Sequence, residues 1–265
     1  MFWISFLRRK YYLYLSYFLY YLKIKNFEQS QIHNMSRNEV YKYFLFHFYK
    51  YSSKKIITHR YYFSQKKRGY GEDAFHSMWS YLFYKFQPMS ILEIGVYRGQ
   101  TLSLFKILSE QLGIISQVYG ISPLDSSADE FSSYVNIDYE ADINLNFKKF
   151  NLQRPEIIRS LSASPESREF IESKEWDLIY VDGSHDYKDV VQDVKISINN
   201  LKSGGILVLD DSSLFTEFDP ELSVKFKVKS FKGHEGPSTV FQEMLKRKDC
   251  SHFLGVGHNN VFVKN

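Results

Sequence analysis

The 265-residue chain is predicted to fold as an α/β protein: a doubly wound, mostly parallel sheet that ends in an antiparallel C-terminal hairpin and follows a helical, basic and aromatic N-terminal arm. Three observations carry that prediction. Residues 176–212 run from an apolar stretch, Leu178–Val181, through a helical pattern with Val190, Val191, Val194 and Ile198, to a second apolar stretch, Gly205–Leu209. This is strand, helix, strand, and the right-handed crossover of such units makes the two strands parallel. Residues 90–112 have a related form: a short strand from Ser90 to Ile94, a glycine turn, and a helix to about Leu112. Finally, charge divides the chain. Residues 1–70 carry fourteen Lys and Arg against two acids, Glu28 and Glu39, whereas the remainder carries twenty against twenty-eight. A net +12 arm therefore precedes a net −8 domain, and the basic, glycine-containing segment Lys66–Gly71 marks the boundary: arm 1–70, domain 71–265.

In the arm, Met1–Leu7 and Tyr11–Leu22 are apolar stretches on either side of Arg8, Arg9 and Lys10. The second is twelve residues long, short of the roughly 20 that span a bilayer, and its tyrosines suit an interface. The charges follow the first apolar run instead of preceding it, which argues against a secretory signal. A helical pattern from Arg37 to Tyr51 puts Phe44, Phe48 and Tyr51 on one face. Beyond the linker, a helix from about Glu72 to Phe86 stops before Pro88, with Tyr70 and His76 read as core residues or as ligand contacts. The second strand runs from Gln117 to about Ser122, and a long insertion, 123–152, follows it. That insertion holds a helix-start signal at Ser126–Glu130 and a helical run at Ile143–Phe150. The third strand lies near Glu156, and Gly236–Leu245 is a late helix. His252–Val256 and Asn260–Val263 form the hairpin, about a Gly257–Asn259 turn. Residues 212–236 are the longest stretch without a pattern, and loops of that length in compact domains are usually lids or binding loops. His234 and His258 stand beside glycines and are read as solvated loop residues, with substrate contact the alternative. The single cysteine, Cys250, excludes an intrachain disulfide and suits a reducing compartment. No Cys/His cluster has zinc-site spacing.

The chemistry gathers where parallel strands end, at the edge where open α/β sheets bind ligands. Asp182, Asp210, Asp211 and His185 all fall there. Acids at that edge suit a divalent metal or an acid/base pair. They also suit helix N-caps, but a cap takes one Asp, not an adjacent pair. Gly95 permits a backbone conformation closed to residues with a Cβ and lets a ligand approach the main chain. Gly99 lets the helix start pack close to the strand, and the free N–H groups of that start attract a carboxylate or phosphate.

Three segments together resemble the class I S-adenosylmethionine-dependent methyltransferases, over roughly residues 75–265: Glu93-Ile94-Gly95-Val96-Tyr97-Arg98-Gly99, Asp177–His185 and Ser203–Asp211. The resemblance implies a seven-stranded sheet, with cofactor contacts from Glu93, Gly95, Tyr97, Gly99 and Asp182. The Asp-Gly-Ser-His run at 182–185, followed by the Asp210–Asp211 pair, is most similar to the metal-dependent branch that methylates sugar hydroxyls of natural products and glycans. That similarity implies Mg²⁺ (or Mn²⁺) on Asp182, Asp210 and Asp211, His185 as general base, and a small-molecule or glycan acceptor. Two positions depart from the family pattern. Ser122 stands where an acid usually holds the ribose, with Asp125 as the alternative contact. In the adenine-side loop Leu161 replaces an acid, leaving Ser162. These departures favour a rival, a non-catalytic binding or assembly protein on the same fold, while a catechol- or phenol-type O-methyltransferase is the alternative enzyme.

The arm fits three roles. Its helices pack on the domain or on a second copy in a homo-oligomer; or a basic amphipathic segment lies on an anionic membrane surface; or basic residues interleaved with aromatics hold a nucleic-acid single strand. The absence of a recognised RNA-binding motif weighs against the last. The expected location is cytoplasmic, peripheral at the inner membrane face.

Overall fold

The fold was analysed in a computed structural model, in which Leu7, Lys10, Ile32 and residues 34–125, 137–218 and 231–265 are described. The expectations for Met1–Leu7 and Tyr11–Leu22, for Ser126–Glu130 and for the middle of 212–236 lie outside those residues. Among the described residues three helices precede the sheet: α1 (Arg37–Tyr51), α2 (Lys54–Phe63) and α3 (Asp73–Phe86). The alternating part follows as β1 (Ser90–Ile94), α4 (Gln100–Leu112), β2 (Gln117–Ile121), α5 (Tyr139–Lys149), β3 (Glu156–Ile158), α6 (Pro165–Glu172), β4 (Trp176–Val181), α7 (Tyr187–Asn200) and β5 (Leu201–Leu209). The chain closes with α8 (Glu235–Met244), β6 (Cys250–Val256) and β7 (Asn259–Lys264).

The seven strands form one sheet in the order β3-β2-β1-β4-β5-β7-β6. Strands β1 to β5 pair in parallel, and β7 joins β5 and β6 antiparallel. The expected doubly wound sheet with an antiparallel end is what forms. Alternation along each strand feeds two cores. In β1 and β4, Ile91, Leu178 and Tyr180 face a cluster shared with α1–α5, whereas Leu92, Ile94, Ile179 and Val181 face one shared with α6–α8. Buried on both sides, these strands read as nearly unbroken apolar runs. Strand β5 begins at Leu201, four residues before the expected Gly205, with a register irregularity opposite Trp176 and Leu178.

The boundary expected at 66–71 is not a break in the core. Val40, Phe44, Phe48, Ile56 and Phe63, all from the arm, are buried in the same cluster as Ile91 and Leu104. The reason is compositional: the arm's aromatics at these positions carry more apolar area than a solvated helix can leave exposed. Helix α1 starts in a capping box, Ser36 with Glu39, and packs on α3 and β6. Helix α2 was not expected, because its apolar residues follow no clear period; Ser53 caps it by accepting the Ile56 N–H. Two buried histidines join these helices to the domain. His59 Nδ1 lies 3.1 Å from His76 Nε2, and His59 Nε2 lies 2.9 Å from Ser103 Oγ on α4. Among the described residues no helix is long and apolar enough to cross a membrane.

Candidate active site

The turn after β1 is built on a close main-chain crossing. Gly95 has φ +102, and a Cβ there would stand 1.9 Å from the Asp182 carbonyl oxygen. The glycine is thus required first by the β4 chain and only then by any ligand. Gly99, with φ +75, caps the start of α4, and its open side faces Phe147 and Ile143 of α5. Glu93, one residue from the end of β1, is buried beneath the turn. Burial pushes its carboxyl up to about 8, against hydrogen bonds from Thr101 and the Leu102 N–H. A neutral Glu93 can tie down the first turn of α4 without placing a charge under the site.

At the ends of β4 and β5 stand the acids. Asp182 is half-buried; desolvation, then Asp210, Asp211 and Glu93, raise its carboxyl well above the usual range, and it shares a hydrogen bond with Asp210. Asp210 also accepts from the Tyr180 hydroxyl at 2.7 Å. His258 Nδ1 lies 2.7 Å from Asp210 Oδ1 and 2.9 Å from Asp211 Oδ1, a single N–H facing two carboxylates. Burial opposes charge on this imidazole, but the two aspartates outweigh it and hold its pKa well above the ordinary value. Asp211 also accepts from His185 Nε2 at 3.1 Å, with His234 Nε2 at 3.7 Å from the same oxygen. Burial works against the Asp211 carboxylate, but hydrogen bonds from His185 and His258 bring it below the usual range. The site therefore sets one acid held neutral, Asp182, beside one held ionised, Asp211.

The rest of the frame comes from two histidines read as solvated loop residues and from Arg37, which the sequence did not single out. His258, expected in a solvated loop, is 8% exposed and braces the acidic pair. His234, from the start of α8, donates its main-chain N–H to the Asp211 carbonyl at 2.8 Å. Arg37 of α1 donates to Ser213 Oγ (2.7 Å), the Gly257 carbonyl (2.9 Å) and Asn260 Oδ1 (2.6 Å). Desolvation lowers its pKa to about 10. All three acceptors are neutral, so Arg37 clamps the segment after Asp211 to the turn before His258. The hint available in the sequence was an Arg at the first position of a capped aromatic helix, which basic helix termini do not favour.

A cleft of about 650 Å³ opens along this edge. Glu93, Gly95, Tyr97, Ser122, Asp125, Ser162, Asp182, His185, Asp210 and Asp211 all line it; Gly99 does not. The Ser122 hydroxyl donates to the Val96 carbonyl at 2.9 Å and accepts from the Leu124 N–H at 3.2 Å. It thus fixes the loop after β2, with one lone pair left for a ligand. The Ser162 hydroxyl donates to Asp193 at 3.0 Å. The Tyr97 hydroxyl donates to the Lys67 carbonyl at 3.2 Å, so the linker segment closes over the turn. His76 lines the cleft and is also core, and Tyr70 lies at the rim against Tyr97. Of the 212–236 stretch, Phe231 and His234 reach the cleft.

Residues 92–212 match a family model described as a methyltransferase domain. No curated protein matches the sequence. Among solved structures, a Staphylococcus aureus protein assigned as a caffeoyl-CoA O-methyltransferase aligns with a TM-score of 0.57 at 18% identity, covering 83% of this chain and 95% of its own. The methyltransferase PaMTH1 of Podospora anserina, bound to S-adenosylhomocysteine, aligns with a TM-score of 0.55 at 13% identity, covering 81% and 89%. The O-methyltransferase TomG of Streptomyces achromogenes, in complex with S-adenosylmethionine, aligns with a TM-score of 0.52 at 12% identity, covering 87% and 100%. Together these likenesses show that the chain has the α/β methyltransferase fold, with residues 92–212 similar to a methyltransferase domain.

Proposed function

We propose that this methyltransferase domain transfers the methyl group of S-adenosylmethionine to a hydroxyl oxygen, with Mg²⁺ or Mn²⁺ on Asp182, Asp210 and Asp211 and with His185 as the base. The observation that carries the reading is the concentration of three carboxylates and a carboxylate-bound imidazole in the lining of the cleft, beside the glycine turn. The donors fit a hard cation. The Asp182 carboxyl is raised by desolvation and by the neighbouring acids, as expected of a group whose counter-charge is a metal. Asn259 Oδ1, buried in the same lining, has no hydrogen-bond partner and is a further oxygen donor. A cation there would lower the pKa of an acceptor hydroxyl and orient its oxygen.

This chain's own residues do the rest. Asp211 holds the His185 ring from Nε2, and the Ser184 hydroxyl accepts the Asp186 N–H at 3.1 Å, fixing the turn that carries the ring. His185 takes the acceptor's proton as the methyl passes from sulfur to oxygen. The glycine turn and Tyr97 shape the donor side, and Ser122, Asp125 and Ser162 line the part of the cleft where the ribose and adenine would lie. Lining and alignment supply much of the rate.

The acceptor proposed is a sugar or glycan hydroxyl, supported by the 182–185 and 210–211 pattern. A phenolic acceptor is the second reading, favoured by Tyr70, Phe75, Trp79 and Phe231 in the lining. The test is calorimetry with S-adenosylhomocysteine, followed by transfer of labelled methyl from S-adenosylmethionine to sugar and catechol acceptors with and without chelator. Binding, and transfer that stops in chelator and resumes with Mg²⁺, is the expected result. Absence of S-adenosylhomocysteine binding would leave the non-catalytic rival standing.

A further inference from the structure

The geometry points to a second cation site beside the proposed Mg²⁺ site, formed by His185, His234 and Asp211 and suited to a divalent ion that prefers imidazole, such as Zn²⁺. The side chains face one point. One ring nitrogen of each histidine approaches the same carboxylate oxygen, Asp211 Oδ2, at 3.1 Å from His185 Nε2 and 3.7 Å from His234 Nε2. The two rings stand with centroids 4.1 Å apart at 53°. Ligands at about 2.1 Å on a tetrahedron lie about 3.4 Å from one another, and the two observed separations straddle that edge length. All three residues are partly exposed, so the ion has a route in and a fourth position open to solvent.

Main-chain packing holds the three residues together independently of their side chains. The His234 N–H donates to the Asp211 carbonyl. Gly233, with φ +106, lies so close to Asp211 that a Cβ would be 1.9 Å from its carbonyl oxygen. Gly236 packs on the His185 carbonyl in the same way, at 2.2 Å for a Cβ. Asp211 itself is held at φ +50, the left-handed region. Three segments distant in sequence are thus knitted at the positions that carry the ligands. His258, by contrast, is committed to both aspartates as their counter-charge.

The two sites differ in chemistry. A carboxylate set selects hard ions, whereas two imidazoles and one carboxylate favour the later first-row metals. The sites share Asp211, and the second takes His185. An ion on His185 Nε2 would leave the ring's proton on Nδ1, the nitrogen that the proposed reaction needs as a base, so the site works as a brake set by Zn²⁺-like ions and not by Mg²⁺. This consequence rests on the proposed reaction; the site itself does not.

Co²⁺ serves as the probe, because its visible absorption reports imidazole ligation. Titration of the full-length protein in excess Mg²⁺ is expected to give a saturable band at one equivalent, displaced by Zn²⁺. The band should be lost in His234→Ala and retained in Asp182→Asn, which disables only the carboxylate set. His234 makes no side-chain cap bond to α8, so its truncation leaves the helix start intact, and an unchanged melting temperature checks this. No band in the wild type, or a band indifferent to His234→Ala, overturns the site. Absence of methyl transfer with a His234-dependent band would sink the proposed reaction and leave the site standing.

Discussion

Gly95→Ala tests the main-chain crossing at the centre of the site. The new Cβ would lie 1.9 Å from the Asp182 oxygen, 2.3 Å from its carbonyl carbon and 2.5 Å from Gly183 Cα. These are backbone atoms at a strand end and cannot rotate aside. Ordinary contact needs about 3.4 Å or more, so the ends of β1 and β4 must part by at least ~1 Å. Overpacking of this kind costs ~1–3 kcal/mol, and alanine at φ +102 adds ~1 kcal/mol or more. A total near 3 kcal/mol lowers the melting temperature by ~6–12 °C in a protein of this size. The atoms pushed are those that carry Asp182, and a misplacement of 1 Å costs about 10²-fold in rate. The assay has three readouts: thermal melting, S-adenosylhomocysteine calorimetry and methyl transfer. A variant with wild-type melting refutes the packing argument. If that variant has also lost S-adenosylhomocysteine binding, Gly95 serves ligand approach alone, as the sequence first suggested.

His185→Ala should lower kcat by roughly 10²–10⁴ while S-adenosylhomocysteine affinity stays near wild type; a lost affinity would move His185 from catalysis to binding. Asp182→Asn, Asp210→Asn and Asp211→Asn should each abolish transfer, and full activity of the wild type in excess chelator would remove the metal from the mechanism. Asp193 gives a stability test: burial, against the Ser162 hydrogen bond, raises its carboxyl to about 7. Its folded pKa lies above the unfolded value, so the contribution is fully present below about pH 4 and is lost as pH rises to about 7. Asp193→Asn should therefore gain on the wild type by up to ~4 kcal/mol across that window, and parallel denaturation curves at pH 4 and pH 7.5 would contradict it. Truncation at residue 70 removes α1 and α2 and should give an unfolded or aggregated product, whereas truncation before Ser36 should leave a folded protein. If anionic liposomes at low salt retain the full chain but not the shorter form, residues 1–35 hold the membrane affinity.

The alternating core was legible because buried parallel strands and amphipathic crossovers write period and run length directly into the sequence, as in Leu178–Val181 and Val190–Ile198. The acids at 182, 210 and 211 were legible for the same reason: strand ends fix them at one edge. For the arm, charge and aromatic content left packing on the domain, membrane contact and nucleic-acid binding all open, because Lys and Arg share helices with Phe44, Phe48 and Phe63, which are buried. His258 and His234 were noted beside glycines, but their place at Asp211 was not legible; each is brought there by tertiary pairing, β7 on β5 for one and the Asp211–His234 main-chain bond for the other. Ser122 was read as a ligand group by position, while its hydroxyl also braces the Val96 turn.

Arg37 has a bearing on how the molecule comes into being. Its acceptors lie 176, 220 and 223 residues further along the chain. During synthesis, α1 must wait with an unpaired guanidinium until the β6–β7 hairpin has emerged. Contacts of that sequence separation form late and slowly. The strands that carry Asp182, Asp210 and Asp211 can assemble earlier, but the hairpin that delivers His258 completes the sheet at its far side. The acidic pair therefore acquires its counter-charge and its clamp in the same closing step. A nascent or C-terminally clipped chain would hold a sheet without a working edge, and hydrogen exchange in α1 should report hairpin docking, not helix formation.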